Sequence, residues 1–192
     1  PEPYRSVLED AGETDFSGIR LRMEEAGNRT NEVTSTGQRF VAGASGTLGS
    51  WDYDVAVSRA ENRAVDKYVN GYVLYDKFVE GVTNGTINPF GPSSDAGRDY
   101  IDSIKVNDEA RKSVGSTTGI DGKLTTSLVR LGGGDLGLAL GGEFRREQAK
   151  FTPSALLVSN NIAGDRDSSG LATDLAATSD SRKVAGVYAE LN

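Results

Sequence analysis

"GLALGGEFRRE" (residues 137–147) puts small and apolar residues at one end and four charges within five residues at the other. Read with the period of a strand, Leu136, Leu138, Leu140 and Phe144 share one face, and Gly137, Ala139, Gly141, Glu143, Arg145 and Glu147 share the other. Strand-sized segments with this alternation recur in both directions, over 15–25, 38–48, 51–59, 120–131, 135–147 and 182–192. The clearest is "WDYDVAVSR" (51–59), where Trp51, Tyr53, Val55 and Val57 oppose Asp52, Asp54, Ala56 and Ser58. The pattern predicts a mainly β chain, an antiparallel up-and-down meander of about six strands in one segment over 1–192.

The connections alternate in length. "GS" (49–50) and "GGG" (132–134) are tight hairpin signals. The others, 25–37, 60–119 and 148–181, are long. Short turns on one side and long loops on the other are the habit of outer-membrane barrels. Short helices are expected within 60–119. "GYVLYDKFVEGV" (71–82) spaces Val73 or Leu74, Phe78 and Val82 for a helix. "SSDAGRDYIDSIKV" (93–106) offers a Ser or Asp cap and an apolar face of Tyr100, Ile101, Ile104 and Val106.

Composition narrows the chemistry. The 192 residues include no Cys and no His, which removes disulfides, thiolate sites and every Ser-His triad. With 28 acidic against 21 basic residues, a net charge of −7 argues against a nucleic-acid partner. No apolar run reaches the roughly 18 residues of a membrane-crossing helix. "PEPYRSVLED" lacks a basic-then-apolar leader and reads as a cut. Glu143 and Glu147, four residues apart on one strand face, are about 13 Å apart. That is too far for a general acid/base pair, whose inverting form needs about 6.5–9.5 Å. "GDRDSSG" (164–170) begins like a calcium loop, but Ala176 stands where the twelfth-position Glu should be. "RLGGGDLG" (130–137) clusters its glycines between two strands rather than at the opening of a helix, so it is not a dinucleotide site. No enzyme activity, metal or cofactor is expected.

Four segments in order resemble the barrel of TonB-dependent outer-membrane receptors. "RMEEAGNR" (22–29) resembles a strand-loop junction of that family, and "INPFG" (87–91) is similar to the Asn-Pro-Phe after its helical loop segment. "GGEFRRE" (141–147) resembles its Gly-x-Glu-aromatic-Arg-x-Glu strand, and "VAGVYAELN" (184–192) a later strand. The resemblance implies a piece of a receptor barrel in the outer membrane of a Gram-negative bacterium. Its external loops would bind a scarce small molecule, such as an iron-siderophore, cobalamin or carbohydrate. Contact with the TonB complex would run only through a plug domain, and no plug is read in this sequence.

On that resemblance Glu143, Arg145 and Glu147 become lumen-facing charges, most simply a ladder of wall ion pairs. The apolar stripe would meet lipid, with Arg146 past the hydrocarbon at the outer rim, and Trp51, Tyr53 and Phe144 would be interface aromatics. Loop residues Tyr68, Tyr72, Tyr75, Arg98 and Tyr100 are the candidate ligand contacts. The rival reading is a soluble, secreted β-sheet module that binds a surface or a carbohydrate. A barrel segment in isolation has open edges and an apolar face without lipid, so it is expected to self-associate.

Overall fold

The computed structural model describes residues 9, 10, 12, 22–166 and 175–192. Its strands are β1 (Thr30–Leu48), β2 (Trp51–Asn70), β3 (Val73–Leu74), β4 (Glu109–Leu131), β5 (Gly134–Pro153), β6 (Ile162–Ala163) and β7 (Thr178–Leu191). Its α-helices are α1 (Tyr75–Thr83), α2 (Asp95–Ser103) and α3 (Ala155–Val158). Five strands form one sheet in the order β1-β2-β4-β5-β7, and β3 and β6 form a two-stranded antiparallel pair. The chain divides into a sheet unit (Val33–Val65, Arg111–Pro153, Leu175–Asn192) and a second unit (Pro1–Glu32, Asp66–Ala110, Ser154–Asp174).

The antiparallel meander is as expected, but among the described residues it has five strands where about six were expected, and they are longer than the apolar alternation suggests. They run 19, 20, 23, 20 and 14 residues. β1 begins at Thr30, β2 continues to Asn70 and β4 begins at Glu109, so the connection expected over 60–119 shrinks to 71–108. In "TNEVTSTGQR" and "EARKSVGSTTG" the hydrogen-bonded ladder continues where neither face is consistently apolar. Period-two hydrophobicity cannot mark such a stretch, although Thr and Val favour it. Of the strand expected over 15–25, residues 15–21 lie outside the described residues; Glu24–Ala26 is a 3-10 turn.

In the sheet unit the register fixes the faces. β4 and β5 pair Ile120 with Phe144 and Leu124 with Leu140; β5 and β7 pair Phe144 with Ala185, Leu140 with Ala189 and Leu138 with Leu191. These residues therefore lie on one face. The other face carries Asp121 opposite Glu143, and Thr117 opposite Glu147, which in turn pairs with Arg182. A register shift between Ser127 and Val129 marks a bulge near the Gly132-Gly133 turn. The apolar face stays open: Ile120 is 48% exposed, Phe144 47%, Leu191 65% and Val187 91%.

Among the described residues, the buried hydrophobic side chains lie in the second unit. Ala26, Val73, Ile87, Ile101 and Ile104 pack together with Met23, Phe78, Val82, Tyr100 and Ala163 around them. A smaller cluster joins Tyr68, Val106, Ala110 and Ile162. Helix α2 starts where the sequence signals it, with Ser94 accepting a bond from the Gly97 amide. The start of α1 is held from a distance: Asp76 N donates to the Asn161 side-chain oxygen at 2.9 Å, and Asn161 Nδ2 donates to the Asp76 carboxylate at 2.8 Å. That amide, helped by the Lys77 backbone, keeps the Asp76 carboxyl below its ordinary value against the opposing desolvation.

Candidate functional site

In the sheet unit the charged face carries a connected ladder. Arg145 Nη1 donates to Glu143 at 2.9 Å and its Nε donates to Glu147 at 2.8 Å. Arg182 Nε donates to the other Glu147 oxygen from the neighbouring strand. Alternation on β5 places Glu143, Arg145 and Glu147 together, and the β5–β7 register brings in Arg182. Arg145 thus sits between the two carboxylates and is bonded to both, so neither Glu is set up as an isolated general base. Arg182 and then Arg145 hold the Glu147 carboxyl below its ordinary value of 4.5. A depressed carboxyl pKa stabilises the fold above the unfolded value and loses that contribution as pH falls through the folded value. The β5–β7 pairing is therefore expected to loosen in acid below pH 4.5. Carboxyl-carbon NMR titration reads this directly, and Arg182→Gln should move Glu147 up toward 4.5.

Two hollows lie along this sheet. One, of about 810 Å³, is lined by Gln38, Glu61, Asn62, Thr117, Glu147 and Arg182, among others. The other, about 540 Å³, is bounded by Asp54, Asp121, Lys123, Glu143 and Tyr188. Both have mixed charge, as a polar wall would.

The second unit has a cavity of about 1290 Å³. Arg22, Arg29 and Arg166 line it together with Tyr75, Phe78 and Phe90, with Glu24 as its acidic side chain. Arg29 Nη1 donates to the Gly164 carbonyl at 2.8 Å, and Arg166 lies 4.0 Å above the Tyr75 ring. A cavity of cations and rings suits an anionic or aromatic small molecule.

The structure separates the five loop residues expected at a ligand. Tyr75 lines the cavity. Tyr68 is fully buried, its hydroxyl bonded to the Asp165 carboxylate, and Tyr72 stands 4.4 Å from its ring. Both belong to the smaller core cluster. Arg98 caps its own surroundings, donating to the Ser93 carbonyl at 2.6 Å and to Asp95. Tyr100 packs on the main core and donates its hydroxyl to the Lys77 carbonyl at 2.9 Å, tying α2 to α1. Apolar and aromatic residues at helical spacing commonly mean core, and Tyr100 follows that rule. Arg29 and Arg166 escape a sequence reading because they are 137 positions apart and meet only through the fold. The calcium-like stretch falls mostly on 167–174, outside the described residues; Asp165 accepts from Tyr68.

Segments that resembled one family separately in sequence meet in pairs. Glu25, in 22–29, accepts from the Ser93 amide at 2.8 Å and its hydroxyl at 2.6 Å, while Ser93 Oγ also accepts from the amide of Asn88, in 87–91. Ala26 and Ile87 share the core. Residues 141–147 and 184–192 are hydrogen-bonded neighbours, with Gly141 opposite Tyr188 and Arg145 opposite Val184. No protein-family model and no curated protein matches the chain.

Proposed function

We propose that this chain forms part of the wall and external loops of an outer-membrane receptor of the TonB-dependent type, which imports a scarce small molecule. The carrying observation is the uncovered apolar face opposite a charge-paired one. Ile120, Leu124, Leu140, Phe144, Val187 and Leu191 lie on one face of three strands, each at least 36% exposed. Burying such a side chain is worth about 1.5–3 kcal/mol. Leaving six of them about half exposed to water forgoes on the order of 5–9 kcal/mol, comparable to the whole stability of a domain. A bilayer removes that deficit, whereas a soluble module would need another partner over the same residues.

Dimensions agree. Leu136 to Phe144 is eight residue steps, about 27 Å along a strand and about 20 Å across a bilayer at a tilt near 40–45°. The lipid-facing band of such barrels is about 25 Å tall. The pairwise meeting of the four family-like segments adds support, because segments with an unrelated role need not touch. The cavity lined by Arg29, Arg166 and Tyr75 is the best candidate for contact with the ligand, in place of Tyr68 and Tyr100. Among the described residues no helix is long and apolar enough to cross a membrane, so any crossing falls to strands. Membrane fractionation of the gene product tests the proposal. It should sediment with the outer membrane and resist extraction by salt and carbonate. Recovery in the soluble periplasm or the medium overturns it.

A further inference from the structure

The apolar face does not stay apolar to its end. One step past Phe144 on the same face stands Arg146, with Thr118 and Lys183 as its cross-strand partners. Arg59 reaches the Thr118 hydroxyl from β2 at 3.5 Å, and is balanced there by Glu61 at 3.7 Å. Two rows further along, Lys150 lies between Val114 and Ser179, and the next row pairs Lys112 with Thr152. Over the paired parts of β4, β5 and β7 this face holds Lys112, Arg146, Lys150 and Lys183 and no carboxylate. The opposite face of the same strands holds Asp121, Asp135, Glu143, Glu147, Asp180 and Glu190. None of the four cations forms an ion pair among the described residues, whereas Arg145 and Arg182 behind them do.

In a chain of net charge −7, four cations gathered on one face of β4, β5 and β7, with no acid on that face of the three strands, need a reason. Solubility does not supply it, since cations scattered among the acids would serve as well. Their position does. All four lie at one end of the apolar rows, where a bilayer's hydrocarbon gives way to headgroups. Arg146 and Lys183 flank the first polar row, and Lys150 follows about 10 Å further out along the membrane normal at the same tilt, still within or near the headgroup layer.

We propose that Arg146, Lys183 and Lys150 bind the phosphates of anionic lipid headgroups in the leaflet at that end of the strands. The proposal rests on the apolar face meeting lipid, as argued above. Phosphate oxygens accept the fork of Arg146 and the ammonium groups of the two lysines, and the low dielectric beneath strengthens the contact.

The chain purified in dodecyl maltoside micelles provides the test. Dioleoyl phosphatidylglycerol and dioleoyl phosphatidylcholine are each added, and retained lipid is counted by native mass spectrometry. Phosphatidylglycerol should be retained about tenfold better at low salt, with the preference shrinking as salt rises. The triple variant Arg146→Gln/Lys150→Gln/Lys183→Gln should lose that preference, while Lys123→Gln on the opposite face should keep it. Equal retention of the two lipids, or an undiminished preference in the triple variant, overturns the headgroup site and leaves the membrane reading standing. A chain that remains monomeric without detergent, and retains neither lipid, overturns both.

Discussion

Arginine in place of Val187 is expected to be costly in a membrane and nearly neutral in water. Val187 is the most exposed large apolar residue described, at 91%. It pairs with Gly142, one row short of Phe144 and one row beyond the middle of the Leu136–Phe144 stripe. At the surface of a soluble sheet, a substitution there should change stability by no more than about 0.5 kcal/mol. On the lipid face of a barrel, arginine near the midplane costs about 2–4 kcal/mol, falling toward zero at the interfaces. Being about 5 Å off the middle, Val187→Arg should fall in the lower part of that range. Urea unfolding of the protein in phosphatidylcholine vesicles gives the number, and Lys183→Arg, in the row past Phe144, serves as a control that should stay silent. A vesicle result within error of wild type would remove lipid from this face.

Gly71→Ala is expected to disrupt the second unit. Gly71 follows β2 with φ +75°, a backbone state that penalises any side chain. A Cβ there would lie 2.4 Å from the Asn28 carbonyl carbon and 2.5 Å from the Arg29 nitrogen. Both are backbone atoms, so no rotamer change relieves the overlap. Either the Asn28–Arg29 segment or the β2 end must move, and with it the Arg29 bond to Gly164. Strain plus displacement should cost on the order of 3 kcal/mol. Gly85→Ala separates the two causes: its φ is +79° but nothing lies within 4 Å, so only about 1 kcal/mol of backbone strain is expected. Hydrogen exchange at the Leu74 and Val106 amides, bonded to Ile104 and Tyr72 carbonyls, reports the loss. Similar protection in both variants would show that the close approach carries no stability.

Much of the sheet is legible in the sequence. Leu138, Leu140 and Phe144 share a face in the structure as their spacing requires, because the two-residue period of a strand is local geometry. The tight turns at Gly49-Ser50 and Gly132-Gly133 are legible for the same reason. The polar ends of β1, β2 and β4 are not. Their ladders depend on the neighbouring strand, which a one-dimensional pattern does not contain. The loop residues divide likewise. Tyr68 and Tyr75 are seven positions apart with the same side chain, yet one is buried against Asp165 and the other lines the cavity under Arg166.

The sequence by itself therefore determined the faces, the tight turns, the Ser94 cap and the chemistry ruled out by the lack of Cys and His. Each follows from one residue and its near neighbours. The tertiary structure decided which charges meet. Glu147 is shared by Arg145, two residues away, and by Arg182, 35 residues away. Arg29 finds Gly164 across 135 positions. It also decided that the cations past Phe144 stand in rows without carboxylates. Cross-strand register is set by where each hairpin turns and where β4 bulges, and a shift of one residue would have sent Arg146 and Lys183 to opposite faces.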